Sequence, residues 1–94
     1  MRVLVIDVEG THVKGLVTIH KKPVRILSSL IMTAVKMVEA VRAAIVTWEY
    51  NAASIGYPGS VVQGHPIIEP YHLGRGWVGV DYKKSFARPV KIRQ

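Results

Sequence analysis

The sequence predicts a mixed α/β domain, and three features carry that expectation. The chain opens on an unbroken apolar run, Val3-Leu4-Val5-Ile6, which suits a strand buried on both faces. One amphipathic helix spans Thr33 to Trp48, and shorter apolar runs separated by turn residues follow it. The implied order is β-β-β-α-β, then a small hairpin, a short helix and a closing strand. That order makes a mixed sheet with helices on at least one face.

Arg2 to Val8 reads as a central strand, and His12 to Ile19 as its antiparallel partner across a Glu9-Gly10 turn. A third strand, Pro23 to Leu27, follows a turn at Lys21-Lys22, and Ser28 to Ile31 reads as loop. In the helix, Ala34, Val38, Val41, Ile45 and Trp48 recur at steps of four and three and form one apolar stripe. Lys36, Glu39 and Arg42 occupy the other side, and Thr33 is placed to cap the N-terminus.

Ala52 to Tyr57 is a second buried strand, stopped by Pro58-Gly59 in an order that suits a type II turn. Val61-Val62 and Ile67-Ile68 flank Gln63-Gly64 as the arms of a hairpin, and Pro66 marks the return arm as an edge. Tyr71 to Gly79 is a glycine-rich loop, Asp81 to Phe86 a short helix and Pro89 to Ile92 a last strand.

Ninety-four residues make a single domain, and a hydrophobic content of 49% argues for a folded chain. Without cysteine there is no disulfide framework, thiolate zinc site or Cys nucleophile. No segment approaches the roughly 20 apolar residues that span a bilayer, and Asp7 and Glu9 interrupt the N-terminal run too early for a signal peptide. A soluble, cytoplasmic protein without a membrane partner is expected. The net charge of +7 attracts polyanions. No aromatic–basic interleaving marks specific nucleic-acid recognition, so the charge reads as a basic face or as a means of holding an anionic substrate.

The chemistry is concentrated near the N-terminus, in Ile6-Asp7-Val8-Glu9-Gly10-Thr11-His12-Val13-Lys14. A strand that ends in a carboxylate, turns at glycine and returns with Thr and Lys can hold a metal-bound phosphate chain. Backbone N–H groups and the Thr11 hydroxyl would meet phosphate oxygens, Lys14 would supply a point charge, and Asp7 would hold Mg²⁺ or its water. Taken alone, the pattern is also that of an ordinary hairpin. Gly74-Arg75-Gly76-Trp77-Val78-Gly79 satisfies a dinucleotide fingerprint in letters only, since no strand leads into it and no long helix follows. His12, His20, His65 and His72 show no metal-ligand spacing.

Five ordered blocks together resemble the N-terminal lobe of a sugar kinase of the ROK family, and most of all its polyphosphate glucokinase branch. They are the Ile6 to Lys14 stretch, Met32-Thr33 with Met37-Val38, Trp48, Ser54-Ile55-Gly56-Tyr57-Pro58-Gly59, and Glu69-Pro70-Tyr71-His72-Leu73-Gly74-Arg75-Gly76-Trp77-Val78-Gly79. The resemblance implies an actin-like ATPase fold, with this chain as its first, ribonuclease-H-like half. It implies Mg²⁺-dependent phosphoryl transfer from polyphosphate or ATP to the 6-hydroxyl of glucose. Asp7, Gly10, Thr11 and Lys14 would line the phosphate-binding hairpin, and Asp7 would hold Mg²⁺ indirectly. Gly56, Tyr57, Pro58 and Gly59, with His72, Gly76 and Trp77, would form the loops on the sugar side.

Three departures qualify what the resemblance implies. The family has glycine where this chain has Glu9, and a left-handed backbone there would cost Glu9 about 1 kcal/mol or more. The family has His-Asn before Leu-Gly, where this chain has Tyr71-His72. In relatives, Asn-Asp-Ala closely follows the strand corresponding to Val90-Lys91-Ile92, and its aspartate takes the proton from the sugar hydroxyl. Here Arg93-Gln94 end the sequence. The expectation is therefore a truncated lobe over 1–94 in which no residue is catalytic, silent or nearly so, with Mg²⁺ and a phosphoryl donor as cofactors or none at all. The competing class is a non-catalytic polyanion-binding module, or one that associates with itself through exposed apolar surface.

Overall fold

A computed structural model of the chain describes residues 2–9, 12–17, 24–27, 32–70 and 73–94. Its centre is a five-stranded mixed sheet in the order β3-β2-β1-β4-β7. The strands are β1 Val3–Val8, β2 His12–Val17, β3 Val24–Leu27, β4 Ala52–Gly56 and β7 Val90–Arg93. β1 is antiparallel to β2 and parallel to β4, and β4 is parallel to β7. The mixed α/β class and the element order expected from the sequence are both present.

The apolar run of β1 does not lie between two covered faces. Its burial alternates, with Leu4, Ile6 and Val8 buried and Val3, Val5 and Asp7 half-buried. β4 alternates in the same way, burying Ala53 and Ile55. One face of the sheet therefore carries the core, completed by Val13, Met37, Val38, Val41, Trp77, Tyr82, Phe86 and Ile92. The helices α1 (Ala34–Ala44) and α2 (Tyr82–Phe86) both bury side chains in that cluster. Among the described residues no helix covers the opposite face.

Thr33 caps α1 as expected, its hydroxyl accepting from the Lys36 N–H at 3.2 Å. The helix ends earlier than its stripe suggested. Ile45 closes it with φ −114° and ψ 23°, while its N–H still bonds the Val41 carbonyl. Exposed Val46 and Thr47 then form a turn. β-branched residues are poor helix formers, and Val46 is 80% exposed, with little burial to hold it in a helix.

The hairpin is a correction. Its return arm is β6, His65–Pro66, and not Ile67-Ile68: Val62 pairs with His65 and Val61 with Pro66 across the two-residue loop. Gln63 at φ 50° and Gly64 at φ 78° both take positive φ, the signature of a type I′ turn that pairs strands at once. Ile67 and Ile68 fall beyond the arm, 51% and 56% exposed. The type II turn at Pro58-Gly59 is not formed either, because Gly59 lacks the positive φ it needs. Space at Gly59 is tight, since a Cβ would lie 3.1 Å from the Tyr57 ring and the ring would have to give by a few tenths of an ångström.

Candidate functional site

Strand register builds the site. Asp7 pairs with Lys14 of β2 on one side and with Gly56 of β4 on the other. Lys14 pairs in turn with Arg25 of β3, and Gly56 with Arg93 of β7. Directly paired residues project to the same face, so Arg25, Lys14, Asp7, Gly56 and Arg93 form one row across the open side of the sheet. Neighbouring strands are about 4.8 Å apart, which makes the row about 19 Å long.

Asp7 is half-buried at the end of β1, and its Oδ1 accepts from Arg93 Nη2 at 3.3 Å. Arg93 Nε also donates to the Ser54 hydroxyl at 3.3 Å. Gly56 sits beneath this pair, and a Cβ there would lie 2.6 Å from Asp7 Oδ1 and 3.0 Å from Arg93 Nη1. The missing side chain is what lets the carboxylate reach the guanidinium. Arg93 is held by Asp7 and Arg2 by Glu49, while among the described residues no ion pair takes up Lys14 or Arg25, so two cations in the row are open to an anion.

Of the expected phosphate-binding residues, Asp7 and Lys14 stand side by side, whereas Gly10 and Thr11 lie outside the described residues. Glu9 is exposed and is not among the residues with positive φ, so the left-handed strain anticipated for it is absent. No cluster of three potential metal-ligating side chains occurs among the described residues.

The loops expected on the sugar side divide. Tyr57 and Trp77 are buried, with ring centroids 6.3 Å apart. The Tyr57 hydroxyl donates to the Ile68 carbonyl at 2.6 Å, and Trp77 Nε1 donates to the Met32 carbonyl at 3.2 Å. Both side chains are thus committed to the core, and exposed Pro58 and Gly76 (φ 90°) carry the surface of these loops. His72 lies outside the described residues.

Two residues outside the expected set shape this region. Glu69 accepts from the Trp77 N–H at 3.0 Å and from the Val78 N–H at 2.8 Å, tying the glycine-rich loop to the segment before it. Tyr82 anchors the same loop by donating to the Trp77 carbonyl at 2.7 Å. Burial, and then the Glu69 charge, pushes the Tyr57 hydroxyl up to about 12. Burial pushes Tyr82 up as well, followed by Tyr57 and Glu69. Arg93 is the other unexpected member, and no local motif could have announced it, since it lies 86 residues from its partner.

No family model and no curated protein matches the chain in sequence. Among solved structures, the fold is similar to that of a ROK family protein from Streptococcus pneumoniae TIGR4, solved in complex with sucrose. The TM-score is 0.75 at 16% identity, over 99% of this chain. The chain spans 34% of the length of that structure. The likeness establishes the fold. No described helix is long and apolar enough to cross a membrane.

Proposed function

We propose that this chain is the phosphate-binding lobe of a sugar kinase of the ROK type, with an actin-like architecture. The observation that carries the reading is the row in which Asp7 and Lys14 stand side by side on an open sheet face. The shared fold, with a neighbour that binds a sugar, supports it. The donor is polyphosphate or ATP and the acceptor is glucose. A linear phosphate chain lies across the strands, with Lys14 and Arg25 against its oxygens.

The residues fit Mg²⁺ in its usual protein setting, which is one or two carboxylates completed by phosphate oxygens and water. Asp7 is the carboxylate, and it must release Arg93 to serve. Held there by Asp7, the ion would supply positive charge to offset the negative charge of the phosphate oxygens.

No carboxylate of the described residues is placed as general base. Asp7 is paired with Arg93 and Glu49 with Arg2, Glu69 holds two backbone N–H groups, and Asp81 caps α2. Glu9 and Glu39 are exposed. These residues bind and orient, and the 94-residue chain turns over no substrate unaided.

Calorimetric titration with polyphosphate and with ATP tests the reading. Binding should strengthen on adding Mg²⁺, and Asp7→Asn should lose that increment while keeping fold and salt response. A coupled assay for glucose 6-phosphate should stay silent with either donor. Turnover in the ordinary range of about 1–10³ s⁻¹ would overturn the assignment of no base. The second reading, a non-catalytic module that binds polyanions, draws on the same basic row, extended by Lys91. It predicts affinity that falls steeply with salt and ignores Mg²⁺.

A further inference from the structure

A second feature lies on the far side of the sheet from Lys14, at its β7 edge. The Pro89 carbonyl accepts from the Ala53 N–H at 2.9 Å, and the Arg93 carbonyl accepts from the Tyr57 N–H at 2.8 Å. Successive residues of a strand point their backbone groups to opposite sides, so residues 89, 91 and 93 face β4. Val90 and Ile92 therefore turn two N–H donors and two carbonyl acceptors outward, where among the described residues nothing pairs with them.

These outward groups border a groove of about 460 Å³ walled by the hairpin of β5 (Val61–Val62) and β6, the 78–82 segment and β7 itself. Pro66, Val78, Val80, Tyr82, Val90 and Ile92 give it an apolar lining. One cation, Lys83, lines its wall, and Lys91 and Arg93 project from the other face of the edge strand. The one carboxylate in the lining, Asp81, is turned to the Lys84 N–H.

We infer that β7 is a docking edge for an extended peptide segment of a partner protein, one that alternates acidic and apolar residues. Apolar side chains of the added strand enter the groove beside Val90 and Ile92, and acidic ones reach Lys91 and Arg93 on the opposite face. The charge pattern selects against a second copy of the chain. Antiparallel pairing of two β7 strands through Val90 and Ile92 sets Lys91 against Lys91 or Arg93 of the other copy, and like charges directly opposite destabilise a sheet. A partner strand with carboxylates at those positions turns the repulsion into attraction. The inference shares Arg93 with the phosphate row, but its hydrogen-bonding edge and its apolar groove lie outside that row.

The test is fluorescence anisotropy of a labelled peptide of about eight residues, alternating valine and glutamate, titrated with the 94-residue chain. Controls are the same composition with its glutamates in one block, and the alternating peptide with N-methyl groups on every second residue. Only the unmodified alternating peptide should bind tightly, with N-methylation weakening it at least tenfold. Lys91→Glu should transfer the preference to a peptide alternating valine and lysine. Val90→Pro removes one outward N–H and leaves the ladder to β4 intact, so it should weaken binding about fivefold more than Val90→Ala, which trims the same core-packed side chain and keeps the N–H. Equal binding of the block or N-methylated peptide overturns the inference, and that comparison needs no variant. A concentration-dependent dimer in sedimentation that Val90→Pro abolishes also overturns it, by giving the edge to a second copy.

Discussion

The guanidinium of Arg93 meets the carboxylate of Asp7 across the bare backbone of Gly56, at 3.3 Å. Both side chains are about half exposed, so the pair contributes only about 0–1 kcal/mol to stability. Its importance lies elsewhere. The carboxylate proposed to receive Mg²⁺ is already held by a cation from the chain itself.

Gly56→Ala therefore separates stability from binding. The new Cβ would approach Asp7 Oδ1 to 2.6 Å and drive the two side chains apart. Both can swing away, so thermal unfolding should show a loss of less than about 1 kcal/mol. The Mg²⁺ response of phosphate binding, read by calorimetry, should change with it. A much larger stability loss would mean that the backbone, and not the ion pair, yields.

Ala87→Gly should stabilise the protein. Ala87 ends α2 in the left-handed region at φ 54° and ψ 34°, its N–H bonded to the Lys84 carbonyl. An L-residue pays about 1 kcal/mol for that conformation, and glycine avoids most of it. In a domain of this size a gain of 1 kcal/mol raises the melting temperature by about 4–8 °C, which differential scanning calorimetry resolves.

Glu69→Ala should loosen the loop that carries Gly76 and Trp77. It removes two charge-assisted hydrogen bonds to the Trp77 and Val78 N–H groups, for a loss of about 1–2 kcal/mol. Hydrogen exchange should quicken at those two amides and leave β1 protected. Unchanged exchange there would show that Trp77 packing alone holds the loop.

Alkaline pH should unfold the protein through its buried tyrosines. Both Tyr57 and Tyr82 have hydroxyls raised above the unfolded value near 10, Tyr57 to about 12. Below pH 10 both states keep these protons and stability is unaffected. Between pH 10 and 12 the unfolded chain releases them first, so stability falls by up to about 1.4 kcal/mol per pH unit for each tyrosine. Tyrosinate absorbance should rise for these two residues together with loss of circular dichroism. Ionisation of both before unfolding would contradict the burial.

The parts of the fold written locally were the readable ones. The Thr33 cap and the Asp81 start of α2 rest on neighbours within a few residues, whereas the one-sided burial of Val3 to Val8 was hidden by its unbroken apolar run. The helix end was misread because Ile45 is buried and Trp48 packs on the core, extending the apolar rhythm past the last helical residue. Gln63-Gly64 announced its hairpin, but the strong β-formers Ile67-Ile68 drew the return arm too far along. The hold of Arg93 on Asp7 was illegible for a different reason. It depends on the registers of β1 with β4 and of β4 with β7, and no segment of sequence contains both ends.

The strand order also dictates a schedule of assembly. β1 sits in the middle of the sheet, flanked by strands made soon after it on one side and much later on the other. The meander of β1, β2 and β3 can zip while the ribosome is still working, because its loops are short. β4 then offers a raw flank until residues 90–93 emerge, and long-range parallel pairing of this kind is slow. Synonymous codons that stall translation between β4 and β7 should thus raise the insoluble fraction of nascent chains, while stalls within the meander leave yield unchanged.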